Sequence, residues 1–342
     1  MKKYVRNIIL LISSILLVTG FACKPKDSNK TVKEILFLKN AHWSEKKAEY
    51  QKYNYKLKWY DTLREAKDSI MILVKEGWNS RSNVKSDNHH DSSVLKFSTF
   101  DVFNTGTYPY SFKSDIFFDI NNGEVVKYTM GSQDGCGNHF FRYDKRGTRG
   151  TFTWHSYWND HGLIAVTKPT SSFDTFFDAL PVYLRFRLSE NTYKIKAVQP
   201  LIANRPLDIK TPAPNNDLKD QDDAKKRGIP NVVDLSVTNT PGENYNGKKV
   251  IKSVVVHGDK TDTFYFAEEF PHTLEHWKGS DEKTLVYSKF YPYWLPEFRN
   301  KPEGNLPQTG EQMSGKPKEK TDKSKDKTDK AKTEKTKADK PK

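Results

Sequence analysis

The sequence predicts a mainly β protein: a curved antiparallel sheet, or a half or full barrel, with one or two helices. Three observations carry that expectation. Apolar residues recur at every second position in segment after segment, the period of a half-buried strand. Turn signals containing Gly and Asn separate those segments at short intervals. Strands do not alternate with helical repeats, which argues against a parallel α/β sheet.

The elements follow in order. Residues 24–47 read as a linker with a short helix around Val32–Lys39. In Ala48–Trp59, Tyr53, Tyr55, Leu57 and Trp59 share one face, with Lys52, Asn54, Lys56 and Lys58 on the other. Ser69–Val74 is a second apolar run, and a long hairpin through Asp61–Asp68 is preferred there to a helix. Val94–Phe103, Ser111–Ile120, Glu124–Ser132, Asn138–Tyr143 and Thr151–Trp158 then form a meander, with Asn122-Gly123 its strongest hairpin signal. Thr170-Ser171-Ser172 offers a helix N-cap, Phe173, Phe176, Phe177 and Leu180 repeat at helical spacing, and Pro181 ends the pattern. Val182–Leu188 and Lys194–Pro200 read as a strand pair, and 204–230 as a long exposed loop. Strands resume at Lys249–His257, Thr263–Phe270, Thr273–Lys278 and Thr284–Phe290, so the globular domain is 48–300. Such a sheet must close or cover its edges, and a helix plugging one mouth would do so.

The two ends carry most of the charge. The chain is net +14 over 342 residues. Residues 316–342 hold 12 Lys against 6 Asp or Glu, and 1–22 add Lys2, Lys3 and Arg6, which leaves the body near +5. That removes the case for nucleic acid, as does a tail without aromatic residues. A mean hydropathy of −0.82 excludes a multi-span membrane protein. Met1–Arg6 is basic, Ile8–Val18 is a short apolar run, and Ala22-Cys23 follows: the pattern of an export signal, 1–22, cut before Cys23. Such a cut before a Cys resembles a bacterial lipobox, which implies lipidation of Cys23, attachment to the membrane through that lipid, and, with Lys24 next, an outer-membrane protein facing the periplasm. Residues 301–342 end in a Lys-rich tail with nothing to bury, expected to be disordered. It reads as a solvated spacer, with an anionic envelope polymer or lipid headgroup as its alternative partner.

If Cys23 is acylated, Cys136 has no disulfide partner. The densest polar cluster runs Gln133-Asp134-Gly135-Cys136-Gly137-Asn138-His139, then His155 and Asp160-His161. Cys136, His139, His155 and His161 are soft and borderline ligands that would suit zinc or copper if the meander placed them together. Against this stands the reading of a hairpin turn with a buried Cys and hydrogen-bonded histidines, and no cofactor. A thiol nucleophile with His139 or His155 as base and Asp160 as orienter is a third arrangement. No P-loop, G-x-G-x-x-G, H-E-x-x-H or G-x-S-x-G motif occurs. Glu268-Glu269 is placed on a strand, where the two would face opposite ways.

Phe103-Asn104-Thr105-Gly106-Thr107-Tyr108-Pro109-Tyr110, Cys136-Gly137 with His139, His155-Ser156-Tyr157, and Glu269-Phe270-Pro271 followed by Glu275-His276-Trp277 resemble a group of bacterial envelope lipoproteins often labelled "septum formation inhibitor Maf". The resemblance covers about 42–294. The label implies nucleotide pyrophosphatase activity, but the phosphate loop on which that activity rests is not in this chain, so no catalytic residue carries over. The function expected is a periplasm-facing, lipid-anchored binding or structural protein holding an amphiphilic ligand at an aromatic-lined mouth, with a metal site as the alternative.

Overall fold

Alternation after Lys47 becomes strand β1 (Ala48–Trp59), which pairs antiparallel with the 18-residue β2 (Thr62–Asn79). The long hairpin is therefore what the Asp61–Asp68 stretch forms. The computed structural model describes residues 36–44, 46–59, 62–133, 137–155, 163–199 and 232–298. The signal segment, Cys23, the 204–230 stretch and the Lys-rich tail lie outside the described residues. By contact density the chain divides into 1–295 and 296–342. In the second unit the described residues Pro296–Phe298 form one 3₁₀ turn.

The strands continue as β3 (Val84–Lys85), β4 (Ser92–Thr105), β5 (Tyr108–Asp119), β6 (Val125–Gln133), β7 (Asn138–Arg146), β8 (Arg149–His155) and β9 (Leu163–Pro169). The second half supplies β10 (Thr175–Phe176), β11 (Thr192–Val198), β12 (Val232–Tyr245), β13 (Lys248–His257), β14 (Lys260–Ala267), β15 (Leu274–Lys278) and β16 (Asp281–Tyr291). All join one sheet in the order β10-β11-β12-β13-β14-β15-β16-β1-β2-β4-β5-β6-β7-β8-β9, with β3 beside β2. Every pairing is antiparallel except β10 with β11.

The sheet has to roll. Fourteen strand spacings of about 4.8 Å make about 67 Å of sheet. Its two edges, β9 and β10, are joined by residues 170–174 alone, which span at most about 20 Å. That link is tied to both sides: Thr170 N–H donates to Thr148 O (2.8 Å) and Asp174 N–H to Lys196 O (2.7 Å). The result is the curved, barrel-like antiparallel sheet that the alternation predicts, closed at the seam by chain and not by a ladder.

The segment after the seam corrects the sequence reading. The expected helix over 173–181 is a 3₁₀ turn, the short β10 and a second turn, Phe177–Ala179. The α-helix α1 is Leu180–Tyr183, with Pro181 in its first turn, and a 3₁₀ turn over Leu184–Arg187 continues it. Pro181 opens the helix and does not close it, because the first turn leaves its N–H unbonded anyway. Val182–Leu188 alternates like a strand yet is helical. Both of its faces are buried, so the period of its apolar residues no longer reports which side is covered. Within the rolled sheet, Phe176 meets the rings of Tyr128, Phe141, Tyr143, Phe152 and Phe173 at 5.0–6.4 Å. Phe177 packs on His257 of β13 and Phe186 on Phe118 of β5, so this plug is held from both halves of the sheet. Phe37 and Trp43 close the same core, with Trp43 Nε1 donating to Phe37 O at 2.9 Å.

Two long strands are absent from the sequence reading. β9 begins as a plain apolar run without alternation. β12 contains Pro241-Gly242, a turn signal that the structure absorbs at a register break between Thr240 and Glu243, with Gly242 at φ +78°. β14 ends at Ala267, so Glu268 and Glu269 sit in a turn and not on a strand.

Gly150 of β8 lies under the Tyr143 ring, and a Cβ there would stand 2.3 Å from Tyr143 Cε2. Gly150→Ala is expected to destabilise the fold by about 1–3 kcal/mol through overpacking. A shift of the urea midpoint checks it, and Tyr143→Leu in the same chain should relieve part of the loss.

Candidate functional site

The inner wall of the sheet can be followed along its register. Ser69, Asp101, Phe112, Ser132 and His139 occupy one continuous row across β2, β4, β5, β6 and β7. The next row inward is Met71, Thr99, Ser114, Met130, Phe141 and Trp154. Below it Leu73, Phe97, Ile116, Tyr128, Tyr143 and Phe152 face the plug. A polar belt thus crosses this part of the inner wall between apolar rows. Toward the hairpin tips lies a second apolar cluster: Tyr55, Leu57, Phe103, Tyr110 and Phe112, with Ala66 and Tyr108 packed on it. Phe103, Tyr110 and Phe112 stack or tilt on each other at 5.3–6.4 Å.

One half of the belt satisfies itself. Lys283 Nζ, from β16, donates to Asp101 Oδ1 (2.9 Å) and Ser69 Oγ (3.0 Å), and Ser69 Oγ donates to Asp101 Oδ1 at 2.5 Å. The ammonium also lies 3.9 Å from the Tyr55 ring centroid. All three polar residues are buried. Two strands separate β16 from β4, and side chains leave a sheet roughly perpendicular to it, so this contact exists only because the sheet curls sharply here. The trio resembles a serine–lysine pair in composition and is buried at 0–3% exposure.

The other half is not satisfied. Ser132 Oγ (residue 3% exposed) and Trp154 Nε1 are buried and have no hydrogen-bond partner. Buried polar atoms are nearly always paired, so each of these unpaired groups, on β6 and β8 in adjacent rows with β7 between them, calls for an explanation. His139 is buried directly opposite Ser132.

A second buried polar network ties the plug to the sheet. Arg185 Nη2 pairs with Glu49 Oε2 at 2.7 Å, and Arg185 Nε donates to Pro271 O at 2.8 Å. Glu49 Oε1 accepts from Thr273 Oγ1 (2.9 Å) and from Gln51 Nε2. Tyr53 OH reaches Leu274 O at 2.9 Å; burial first, then the Glu49 carboxylate, holds its phenol well above the usual tyrosine range. The β14–β15 loop fixed by these bonds holds His272 at φ +60°, and burial lowers the pKa of that imidazole below the ordinary histidine value.

Of the sequence-predicted metal set, the described residues are His139 and His155, and they are not brought to one face of the sheet. Phe140 stands opposite His155 in the β7–β8 ladder, so His139, one residue before, faces the other side of the sheet. Their burial agrees: His139 is buried and His155 exposed. Cys136, Asp160 and His161 lie outside the described residues, and among the described residues no group of three His, Cys, Asp or Glu is placed to hold a metal. His139 and His155 therefore do not share a face, and His139 lies in the row of the polar belt. His89 and His90 are exposed, with Asp91 engaged by Ser80.

No protein-family model matches the chain, and no curated protein matches it. A solved structure, a beta-barrel-like protein of a domain of unknown function from Brucella abortus, is similar at a TM-score of 0.41 with 8% identity, covering 71% of this chain and 98% of that one.

The belt was not found from sequence because its members are far apart: Lys283 and Ser69 are separated by 214 residues. A signal was present nonetheless. In Leu95, Phe97, Thr99, Asp101 and Phe103 of β4, the inward positions turn polar mid-strand and then apolar again.

Proposed function

We propose that the chain is a periplasm-facing binding protein, anchored by a lipid on Cys23 at the outer membrane, that holds an amphiphile at the hairpin-tip end of its rolled sheet and performs no reaction on it. The observation that carries this reading is two buried unpaired groups on the wall that bears the aromatic cluster of Tyr55, Phe103, Tyr110 and Phe112: Ser132 Oγ, opposite Phe112, and Trp154 Nε1, two strands away in the next row. A polar head that reaches either unpaired group would satisfy it, and an apolar portion would lie along the rings. The plug packs in the larger core, and the tip-end cluster of Tyr55, Leu57, Phe103, Tyr110 and Phe112 is separate from it. The N-terminal pattern ending in Ala22-Cys23 supports the location.

Native mass spectrometry of protein extracted gently from membranes is expected to show a bound amphiphile. In Trp154→Phe and Ser132→Ala occupancy should fall by about tenfold, while stability holds or rises because a buried unpaired group has gone. A clean unliganded mass for the wild-type chain would overturn the reading, as would unchanged occupancy in both variants.

A further inference from the structure

We propose that the groove between the β14–β15 loop and β16 is a binding site for a primary ammonium group carried on an aliphatic chain. The groove has a volume of ≈ 320 Å³, and its lining includes Lys248, Glu269, Phe270, Glu275, Leu285 and Tyr287. It uses none of the residues of the amphiphile site, so either reading can fail alone.

The chemistry follows from how Glu275 is satisfied. Its carboxylate is almost wholly enclosed, and Lys248 Nζ meets both oxygens, at 3.0 and 2.8 Å. The groove therefore already displays an ammonium seated on a buried carboxylate. Lys248 brings that ammonium from solvent: its side chain is 59% exposed and it follows the Asn246-Gly247 hairpin tip, both at positive φ. A pair with one long, exposed partner is worth little, because the stem loses rotamer freedom and water screens the charge. An incoming ammonium of the same shape can replace Lys248. Its aliphatic stem would lie against Leu285 and Phe270, the apolar part of the lining. Glu269 adds a second, exposed carboxylate, so the lining carries two negative charges against one positive and disfavours anions. The Phe270 and Tyr287 rings suit a cation further. Free alkylamines and lysine side chains of a peptide share this chemistry.

The test is a titration of the purified full chain, followed by NMR or calorimetry, with n-hexylamine, with Nα-acetyl-lysine methylamide and with hexanoate. Wild-type protein is expected to bind an amine and not hexanoate. Lys248→Ala removes the internal competitor and should tighten amine binding up to about fivefold, the size of an exposed pair. Glu275→Gln should abolish it, with folding verified by its denaturation curve. If the lysine amide binds as well as hexylamine, the source is a peptide side chain; if hexylamine alone binds, it is a free amine. Binding that survives Glu275→Gln, or that is no tighter in Lys248→Ala, overturns the proposal, and the Lys248→Ala arm stands even if the Glu275 variant misfolds.

Discussion

Arg185→Met is expected to destabilise the fold by about 3–5 kcal/mol, because it strands a buried carboxylate. Glu49 sits on β1 and Arg185 in the plug, both at 3% exposure or less, and they meet at 2.7 Å. Without the guanidinium, Glu49 keeps only the neutral donors Thr273 and Gln51. Pro271 O loses its donor as well, which leaves the β14–β15 loop held to Glu49 through Thr273 alone among these bonds. The double variant Glu49→Gln, Arg185→Met should regain a large part of the loss, since no lone charge remains in the core. Urea denaturation of both variants checks this. A single variant within about 1 kcal/mol of wild type would mean that water reaches the pair. The same region sets a limit in alkali. Tyr53 and Tyr128 are held above their ordinary pKa of 10.0, chiefly by burial. A folded pKa raised above the unfolded value contributes stability in full below pH 10, and that stability is lost as pH rises from there toward the folded pKa.

How far the sequence revealed this arrangement depended on whether an element has one covered face or two. β1 has one, and its alternation of Tyr53, Tyr55 and Leu57 with lysines gave its ends to the residue. The segment 175–188 has two, and there the same reasoning misplaced the helix and read a strand from Val182, Leu184 and Phe186. Arg185 and Arg187 supplied the polar half of that false alternation, yet both are buried, Arg185 on Glu49 and Arg187 on Glu190. Turn chemistry was equally two-sided. Asn122-Gly123 marks a real hairpin, whereas Pro241-Gly242 is an irregularity within β12. For the site, the candidate metal ligands Cys136, His139, His155 and His161 are near one another along the chain. The polar belt runs across it, at inward positions that pairing brings together and sequence distance hides.

Lys283→Met tests whether that belt holds the roll of the sheet. The substitution leaves Asp101 buried with only the Ser69 hydroxyl, and a loss of about 3–5 kcal/mol is expected. It differs from the Arg185 change in where the damage falls. Arg185 joins plug to sheet, whereas Lys283 joins β16 to β2 and β4 across β1, on the strands where the two halves of the chain meet. Hydrogen exchange should therefore separate them. In Lys283→Met the amides of β16, β1 and β2 should exchange faster, with those of α1 following only at the global rate; in Arg185→Met the plug and the 268–273 loop should lead. Replacing the couple together, as Lys283→Met with Asp101→Leu, should return most of the stability. A protein that regains stability this way and still pairs β16 with β1 would show that aromatic packing alone can curl the sheet. One that regains neither would place the curvature in the charge pair itself, since the ammonium on Tyr55 and the bond to Asp101 are the contacts that pull β16 toward β4.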